Sequence, residues 1–248
     1  MICDAGPKGV RPIRNQEIED LASARLAELE RELGRPLCPP IPIDLIAEKL
    51  LGLDFLWEAI DELPGETILG GLIPQKRLII LNETRRSLFT EKPGLERSTK
   101  GHEMGHWDLF IDKTSLNHPT LFSIDSDGPF AFRSSPAGDV AIIKMLQSDP
   151  EGRELLRKIE SRADEPDEAR AVNRYAAALS MPSDLLRTEA MKIDRTQWPN
   201  LYRLTDRFEV TISALVVRLQ QVGLLYVDKN RRLYESKDAA MGQQMLGF

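Results

Sequence analysis

Residues 102 to 106 read His102-Glu103-Met104-Gly105-His106, and this stretch decides how the rest of the chain is interpreted. In a helix, residues four apart lie on the same face one turn apart, so both imidazoles can point a ring nitrogen at one metal ion. The sequence contains only three histidines, and two of them fall here. The spacing therefore predicts a helix that carries two ligands of a Zn²⁺ ion.

Glu103 lies about 100° further round the same helix, where it cannot join the two histidines as a ligand. It can instead reach a water molecule at the metal, accept a proton as the water attacks a peptide carbonyl, and pass the proton to the leaving nitrogen. The motif thus predicts peptide hydrolysis with Glu103 as the general base. The competing interpretation is that two histidines share a helix face by chance, with a solvated glutamate beside them.

A catalytic zinc site has three protein ligands and an open fourth position, so one ligand must come from elsewhere. Glu168 is the favoured candidate, because it heads the apolar stripe of a helix predicted at 167–180, where a buried carboxylate needs a partner. The same residue also suits the position of a capping-box glutamate. His118 is an alternative, but it lies 12 residues beyond His106, which is not the spacing of three-histidine motifs.

Composition places the chain among globular proteins, with 248 residues, 42% hydrophobic and 29% charged. No apolar run is long enough for a membrane span, and the first residues lack the pattern of a secretory signal, so we expect a cytoplasmic protein without membrane contact. The net charge of −6 argues against nucleic-acid binding over the whole surface. Two cysteines are too few for a disulfide framework or a thiolate zinc site.

Hydrophobic periodicity predicts an α+β fold, in which a small antiparallel sheet packs on a mostly helical core. The sheet is expected from three strand-like runs, at 53–60, 67–73 and 77–82. The motif helix is expected from Ser98 to Asp112, with Ser98 or Thr99 as its N-cap. Other helices are predicted at 16–33, 44–51 (capped by Asp44), 139–148, 151–163, 167–180, 183–191, 200–208 and 211–222.

Several stretches together resemble the ImmA/IrrE family of metallo-endopeptidases. The motif continues as His102-Glu-Met-Gly-His-Trp107, and a later helix reads Asn173-Arg-Tyr-Ala-Ala-Ala-Leu-Ser-Met-Pro182. Further matches lie at 43–48, 71–82 and 208–224. The resemblance implies a zincin-like core and zinc-dependent cleavage of a specific protein partner, often a helix-turn-helix repressor or stress regulator.

The resemblance also shows one departure. The family's third ligand is a glutamate four residues before the asparagine, and that position is Ala169 in this sequence. Glu168 stands five residues before Asn173, which is a rotation of about 100° on an ideal helix. The resemblance therefore leaves open a distorted helix start, ligation by Asp167 or Glu165, or a degenerate site.

Three regions follow from these patterns. They are an N-terminal helix with a proline-rich link (1–42), a zincin-like metallopeptidase domain (43–191, with an insertion at 123–160) and a helix-turn-helix-like C-terminal region (192–248). The segment 195–232 has seven Lys and Arg against three Asp and Glu, a charge of +4 within an acidic protein. An alternative function is therefore a regulatory module with a structural or degenerate metal site, whose tail binds DNA or a protein. The favoured explanation of that tail is a helical hairpin that completes the core, and DNA binding is not favoured.

Overall fold

The computed structural model describes residues 13–62, 67–113, 116, 166–228 and 231–245. The predicted insertion at 123–160, the helices predicted at 139–148 and 151–163, and His118 lie outside these described residues. Within them the chain combines helices with a small sheet, so the α+β class is confirmed.

The elements are numbered here in chain order over the described residues. The α-helices are α1 (Asn15–Leu33), α2 (Ile43–Leu45), α3 (Arg86–Glu91), α4 (Pro93–Leu109), α5 (Pro166–Ser180), α6 (Ser183–Ala190), α7 (Trp198–Phe208), α8 (Ile212–Gln221) and α9 (Lys237–Met245), and a π-helix at Ile46–Leu51 directly continues α2. The strands are β1 (Asp54–Glu58), β2 (Gly70–Ile73), β3 (Leu78–Asn82), β4 (Tyr226–Val227) and β5 (Leu233–Tyr234). Among the described helices, none has the length and apolar composition that crossing a membrane would need.

The three-stranded sheet has the order β1-β3-β2, and its pairing is mixed. A tight turn at Pro74–Lys76 connects β2 to β3, which pair antiparallel as predicted. β1 instead pairs parallel with β3, with Asp54 opposite Leu78. The prediction of a wholly antiparallel sheet is therefore wrong. After β1 the chain forms β2 on the far side of β3, running opposite to β1, and the tight turn then leads into β3, which runs in the same direction as β1.

Two predicted helix starts are also wrong. Asp44 is not an N-cap, because the helix begins at Ile43 and the Asp44 carboxylate accepts a hydrogen bond from Nζ of Lys100 at 3.0 Å. Ser98 and Thr99 do not cap the motif helix, which begins at Pro93, a residue suited to the first helical turn. Thr99 lies inside the helix, where its hydroxyl donates to the carbonyl of Leu95.

The main hydrophobic core lies where α1, the sheet, α4 and α5 meet. On α1 the buried residues recur three or four apart, which is the spacing of one helix face. The other members come from α2, β2, β3, α4 and α5. The cluster includes Ile18, Leu29, Ile43, Leu72, Ile79, Met104, Trp107, Tyr175 and Leu179. This core holds the motif helix against α5.

The C-terminal helices form a second hydrophobic cluster that begins at the end of α5. Its buried members include Met181, Leu186, Leu201, Phe208, Leu215 and Leu219. Arg218 of α8 is fully buried, and its guanidinium donates to both carboxylate oxygens of Glu19 on α1, at 2.6 and 2.8 Å. Arg174 of α5 contacts the same carboxylate at 2.9 Å. The pair α7 and α8 is thus joined to the first core by a partly buried ion cluster.

Candidate metal centre

The motif helix α4 and its partner α5 touch backbone to backbone at two glycines. A Cβ atom at Gly105 would lie 3.0 Å from Cα of Val172 and 3.1 Å from its carbonyl oxygen. A Cβ atom at Gly101 would lie 3.0 Å from Cβ of Ala176. Because both positions, one turn apart on α4, are glycine, the two helices lie closer together than any side chain at these positions would allow. This short distance brings α5 within hydrogen-bond reach of both histidines.

The two motif histidines lie side by side, with their Nε2 atoms 3.1 Å apart. Nδ1 of His102 lies 2.9 Å from Oδ1 of Asn173, and Nδ1 of His106 lies 3.1 Å from Oε1 of Glu168. Both partners are residues of α5. The predicted pairing of the two imidazoles is thus present in the structure, with each ring held on its other nitrogen.

These contacts set which ring nitrogens carry hydrogen. An amide oxygen and a carboxylate only accept hydrogen bonds, so each Nδ1 must be the donor, and in a neutral imidazole Nε2 then carries a lone pair. Two lone pairs that face each other across 3.1 Å repel unless a cation or proton lies between them. Histidines that bind metals are held in this way, with the second nitrogen donating to an oxygen.

Glu103, the next residue after His102 in α4, is buried, with 6% of its surface exposed. In the part of the chain that the structure describes, its Oε2 atom has no hydrogen-bond partner. A buried carboxylate oxygen without a partner is unfavourable by about 1–3 kcal/mol or more, and most such groups in proteins serve a ligand, a water molecule or a reaction. This orphaned oxygen is what a general base next to a substrate or water would show before either is bound.

Glu168, the predicted third ligand, is brought to the site but to its outer side. Its side chain is 12% exposed and its carboxylate accepts from Nδ1 of His106, the nitrogen that faces away from His102. The capping role considered for Glu168 would involve residue 165, which lies outside the described residues. Of the other candidates, His118 and Glu165 lie outside the described residues, and the side chain of Asp167 does too.

Sequence reasoning did not identify Asn173 or Asp108 as parts of this site. Asp108 is a buried residue of α4 whose carboxylate accepts from Arg25, Lys113 and Tyr175. Burial alone would raise the pKa of Asp108, but these hydrogen bonds outweigh burial and hold the pKa below its usual range. Burial and the Asp108 charge raise the pKa of Tyr175 well above its usual value, so the phenol stays a donor. The ionised Asp108 thus fixes α4 to α1 and α5.

The sheet meets the motif helix at β2, which is an edge strand. Gly70 begins this strand, and a Cβ atom there would lie 3.0 Å from Cγ2 of Thr99 on α4. The sequence predicts an exposed sheet edge here, because Gly70-Gly71 lead into the strand-like run Leu72-Ile73 shortly before the motif helix, and an extended substrate peptide could pair with such an edge. All four residues of β2 are instead buried, so that expectation is wrong for the structure as it stands.

The two histidines supply two of the ligands that one zinc ion needs. Two Nε2 atoms converge, and imidazole nitrogen is a preferred zinc ligand. Within the described ranges, no group of three or more His, Cys, Asp and Glu side chains is arranged so that it could hold a metal ion. The structure therefore brings together the side chains of His102, His106 and Glu168, and only the two imidazoles converge, through Nε2.

No protein-family model matches this chain, and no curated protein matches it significantly. Among solved structures, the chain is similar to a transcriptional regulator of Mycobacterium tuberculosis, with a TM-score of 0.43 and 14% sequence identity. The match covers 89% of this chain and 59% of the regulator, so the chain spans less than two thirds of that protein's length. A similarity at this TM-score carries no argument about the fold or function of this chain.

Proposed function

We propose that this protein is a zinc-dependent endopeptidase that cleaves a specific protein partner, such as a transcriptional repressor or stress regulator. The observation that carries the proposal is the combination of two converging Nε2 atoms with the buried, unpartnered Oε2 of Glu103, the residue that follows His102 in α4. His102 and His106 would hold the ion, and Glu168 is the carboxylate that accepts a hydrogen bond from Nδ1 of His106. The resemblance of the sequence to the ImmA/IrrE family supports the choice of substrate class.

A bound zinc ion supplies a Lewis acid that lowers the pKa of water and polarises a peptide carbonyl. The chain's own residues do the remaining work. Glu103 accepts the proton of the attacking water at Oε2 and returns it to the amide nitrogen that leaves. Asn173 and Glu168 hold the two imidazoles in the tautomer whose lone pair is on Nε2.

Replacement of the proposed base gives the direct test. Glu103→Gln keeps the size of the side chain and removes the acceptor of the proton, so zinc binding should persist while cleavage falls by about 10² or more. Glu91→Gln, at an exposed position of α3, is the matched control and should keep full activity. Full cleavage by Glu103→Gln would exclude the proposed role, and zinc bound at wild-type affinity by both His102→Ala and His106→Ala would exclude the proposed site.

A specific observation also supports a second candidate function, a regulatory module with a degenerate metal site. Glu168 contacts Nδ1 of His106 and not the Nε2 pair, as a site that has lost its third ligand would show. In this candidate the C-terminal region binds DNA or a protein partner. Exposed Arg203 and Arg207 on α7 would contribute to such a surface.

Two measurements separate the candidates. The peptidase predicts that the purified protein cleaves a partner regulator, that chelation stops the cleavage, and that an unfolded general substrate such as casein is cut far more slowly. The regulatory module predicts DNA binding that weakens with salt and is unaffected by chelator. Binding of this kind with no cleavage of any partner would replace the peptidase by the regulatory module.

A further inference from the structure

Helix α5 is bonded to the motif helix on two opposite flanks. On one flank Oδ1 of Asn173 accepts from Nδ1 of His102 at 2.9 Å, and on the other the hydroxyl of Tyr175 donates to Oδ2 of Asp108 at 2.6 Å. Residues two apart in an α-helix differ by about 200° round its axis, so these side chains leave α5 in nearly opposite directions. The contact of Val172 with α4 lies between the two flanks. A rotation of α5 in either direction would therefore move one flank away from α4 and lengthen its hydrogen bond.

Arg174 anchors the side of α5 that faces away from α4. It lies about 200° round the helix from Val172, which touches α4. Its Nη2 atom is 2.9 Å from Oε1 of Glu19 on α1, and its side chain is 17% exposed. Three successive residues of α5 are thus bonded in three different directions, and together these bonds fix the rotation of the helix.

The acceptor for His102 depends on this rotation. Asn173 is exposed, so packing around its side chain does little to hold it. Asp108, the partner of Tyr175, has a side chain with no exposed surface, and it belongs to the same helix as both histidines. The bond from Tyr175 therefore sets the position of α5 directly against the helix that carries the metal centre.

We propose that Tyr175 and Arg174 are positioning residues of the metal centre, which fix the rotation of α5 and so keep Asn173 bonded to Nδ1 of His102. Without this bond the imidazole is free to carry its hydrogen on Nε2, and that tautomer has no lone pair there for a metal ion. This inference rests on the metal centre of the proposed function, but it does not depend on peptidase activity.

The test removes both anchors and keeps their apolar volume. In the full chain, the double variant Arg174→Met with Tyr175→Phe deletes the bonds to Glu19 and Asp108. The tautomer of His102 is read from the imidazole ¹⁵N resonances of the metal-free protein at about pH 8, above the ordinary histidine pKa of about 6.5. Comparison with His102→Ala assigns the resonances. Wild type should carry the hydrogen on Nδ1, and the double variant should show a mixture with the Nε2–H form.

A matched control makes the same two chemical changes away from the metal centre. Arg85 is paired with Glu62 at the end of the sheet, and the hydroxyl of Tyr234 donates to Oδ2 of Asp228 near the C-terminus. The double variant Arg85→Met with Tyr234→Phe also loses an ion pair and a phenolic hydrogen bond. It should keep the wild-type tautomer of His102, which a general loss of stability would not allow to differ between the two double variants.

Zinc affinity gives a second measurement, by competition with a calibrated chelator at a temperature where circular dichroism shows every variant folded. The double variant at 174 and 175 should bind zinc about tenfold more weakly than wild type, the lower end of the loss for an outer partner of a metal-binding histidine. The control should stay within about twofold, because its sites are distant from the histidines. Arg174→Lys keeps a cation that can reach Glu19, so it should retain both the tautomer and the affinity.

A folded double variant with the His102 tautomer of wild type, or with the zinc affinity of the control, would overturn the inference. If the double variant does not fold, Tyr175→Phe alone decides the question. A partial shift of His102 towards the Nε2–H form in that variant supports the positioning role, and an unchanged tautomer refutes it.

These outcomes are distinguishable from failure of the proposed function, because the tautomer is measured without zinc and without substrate. A protein that shows the expected tautomers but cleaves no partner supports the inference and counts against the peptidase. A protein that cleaves a partner, and whose folded double variant keeps the wild-type tautomer, supports the peptidase and refutes the inference.

Discussion

The phenolic hydroxyl of Tyr175 donates a 2.6 Å hydrogen bond to Oδ2 of Asp108, which joins the middle of α5 to the end of the motif helix. Arg25 of α1 donates to both oxygens of the same carboxylate, through Nε at 2.8 Å and Nη2 at 2.9 Å. Three helices thus meet at one buried carboxylate two residues beyond His106. The position of α5 relative to the histidines depends on this junction.

Tyr175→Phe should lower the free energy of unfolding by about 2 kcal/mol, because it removes a hydrogen bond to a buried charge and leaves the aromatic packing in place. Urea denaturation checks this value. Tyr202→Phe is the control, since Tyr202 is 54% exposed and its change should cost less than about 0.5 kcal/mol. If Tyr175→Phe loses no more free energy of unfolding than Tyr202→Phe, the hydrogen bond from Tyr175 to Asp108 does not stabilise the fold.

Asn173 should matter for metal affinity more than for stability. Asn173→Ala removes the oxygen that accepts from Nδ1 of His102, and zinc affinity should fall about 10–100-fold because the ring loses its fixed tautomer. Asn173→Asp restores an acceptor at the same distance and should recover most of the affinity. If Asp fails to rescue, while both variants remain folded, the hydrogen bond is not what Asn173 contributes.

The glycines of α4 give a prediction about the spacing of the helices. Gly105→Ala should destabilise the protein by about 1–3 kcal/mol, because the added methyl group contacts the backbone of Val172, and no substitution at residue 172 can remove backbone atoms. Gly101→Ala meets the side chain of Ala176 instead, so the double variant Gly101→Ala with Ala176→Gly should regain the lost packing. Thermal unfolding of the four proteins checks the contrast. A stabilised Gly105→Ala, as helix propensity alone would give, contradicts the close contact.

Glu19 gives a prediction about pH. Burial would raise the pKa of Glu19, but hydrogen bonds and charges from Arg218 and Arg174 outweigh burial and hold the pKa below its usual value. A group whose pKa is lowered by folding adds stability above its unfolded pKa, and this stability is lost as the pH falls through the folded pKa. Glu19→Gln should therefore be less stable than wild type by about 2–3 kcal/mol at pH 7, somewhat below the range for fully buried pairs.

The same difference should shrink in the acid range below the ordinary glutamate pKa of about 4.3, because wild-type Glu19 then also becomes neutral. Urea denaturation at pH 7, 5, 4 and 3 measures it. Glu32→Gln, an exposed change on the same helix, is the control and should show no such trend. A difference that stays constant down to pH 3 would show that Glu19 acts through packing and not through its charge.

The parts of the fold that the sequence predicts are those set by local spacing. The helices predicted at 16–33, 167–180, 183–191, 200–208 and 211–222 are confirmed to within two residues, because their apolar residues recur on one face. The three strands of the first sheet are also present near their predicted positions. The pairing of His102 with His106 follows from four-residue spacing in the same way.

The parts that could not be predicted depend on contacts between distant residues. The parallel pairing of β1 with β3 depends on where the chain returns, which no alternation pattern encodes. Asp44 has the side chain of a cap, but its carboxylate bonds Lys100, 56 residues away. Asn173 reaches His102 across 71 residues, and only the packing of α4 on α5 reveals it. Which nitrogen of His106 would meet Glu168 depends on rotation about the helix axis, a quantity that sequence spacing leaves undetermined.

The partly buried cluster of Arg218, Glu19 and Arg174 has a practical consequence for experiments on fragments. An expression fragment that stops after residue 191 would expose the apolar side chains of Met181 and Leu186, which the C-terminal helices cover. It would also leave Glu19 with Arg174 as its sole partner in this cluster. Such a fragment should aggregate or be cut by proteases, so the region that carries His102 and His106 should be produced together with α7 and α8 for crystallisation.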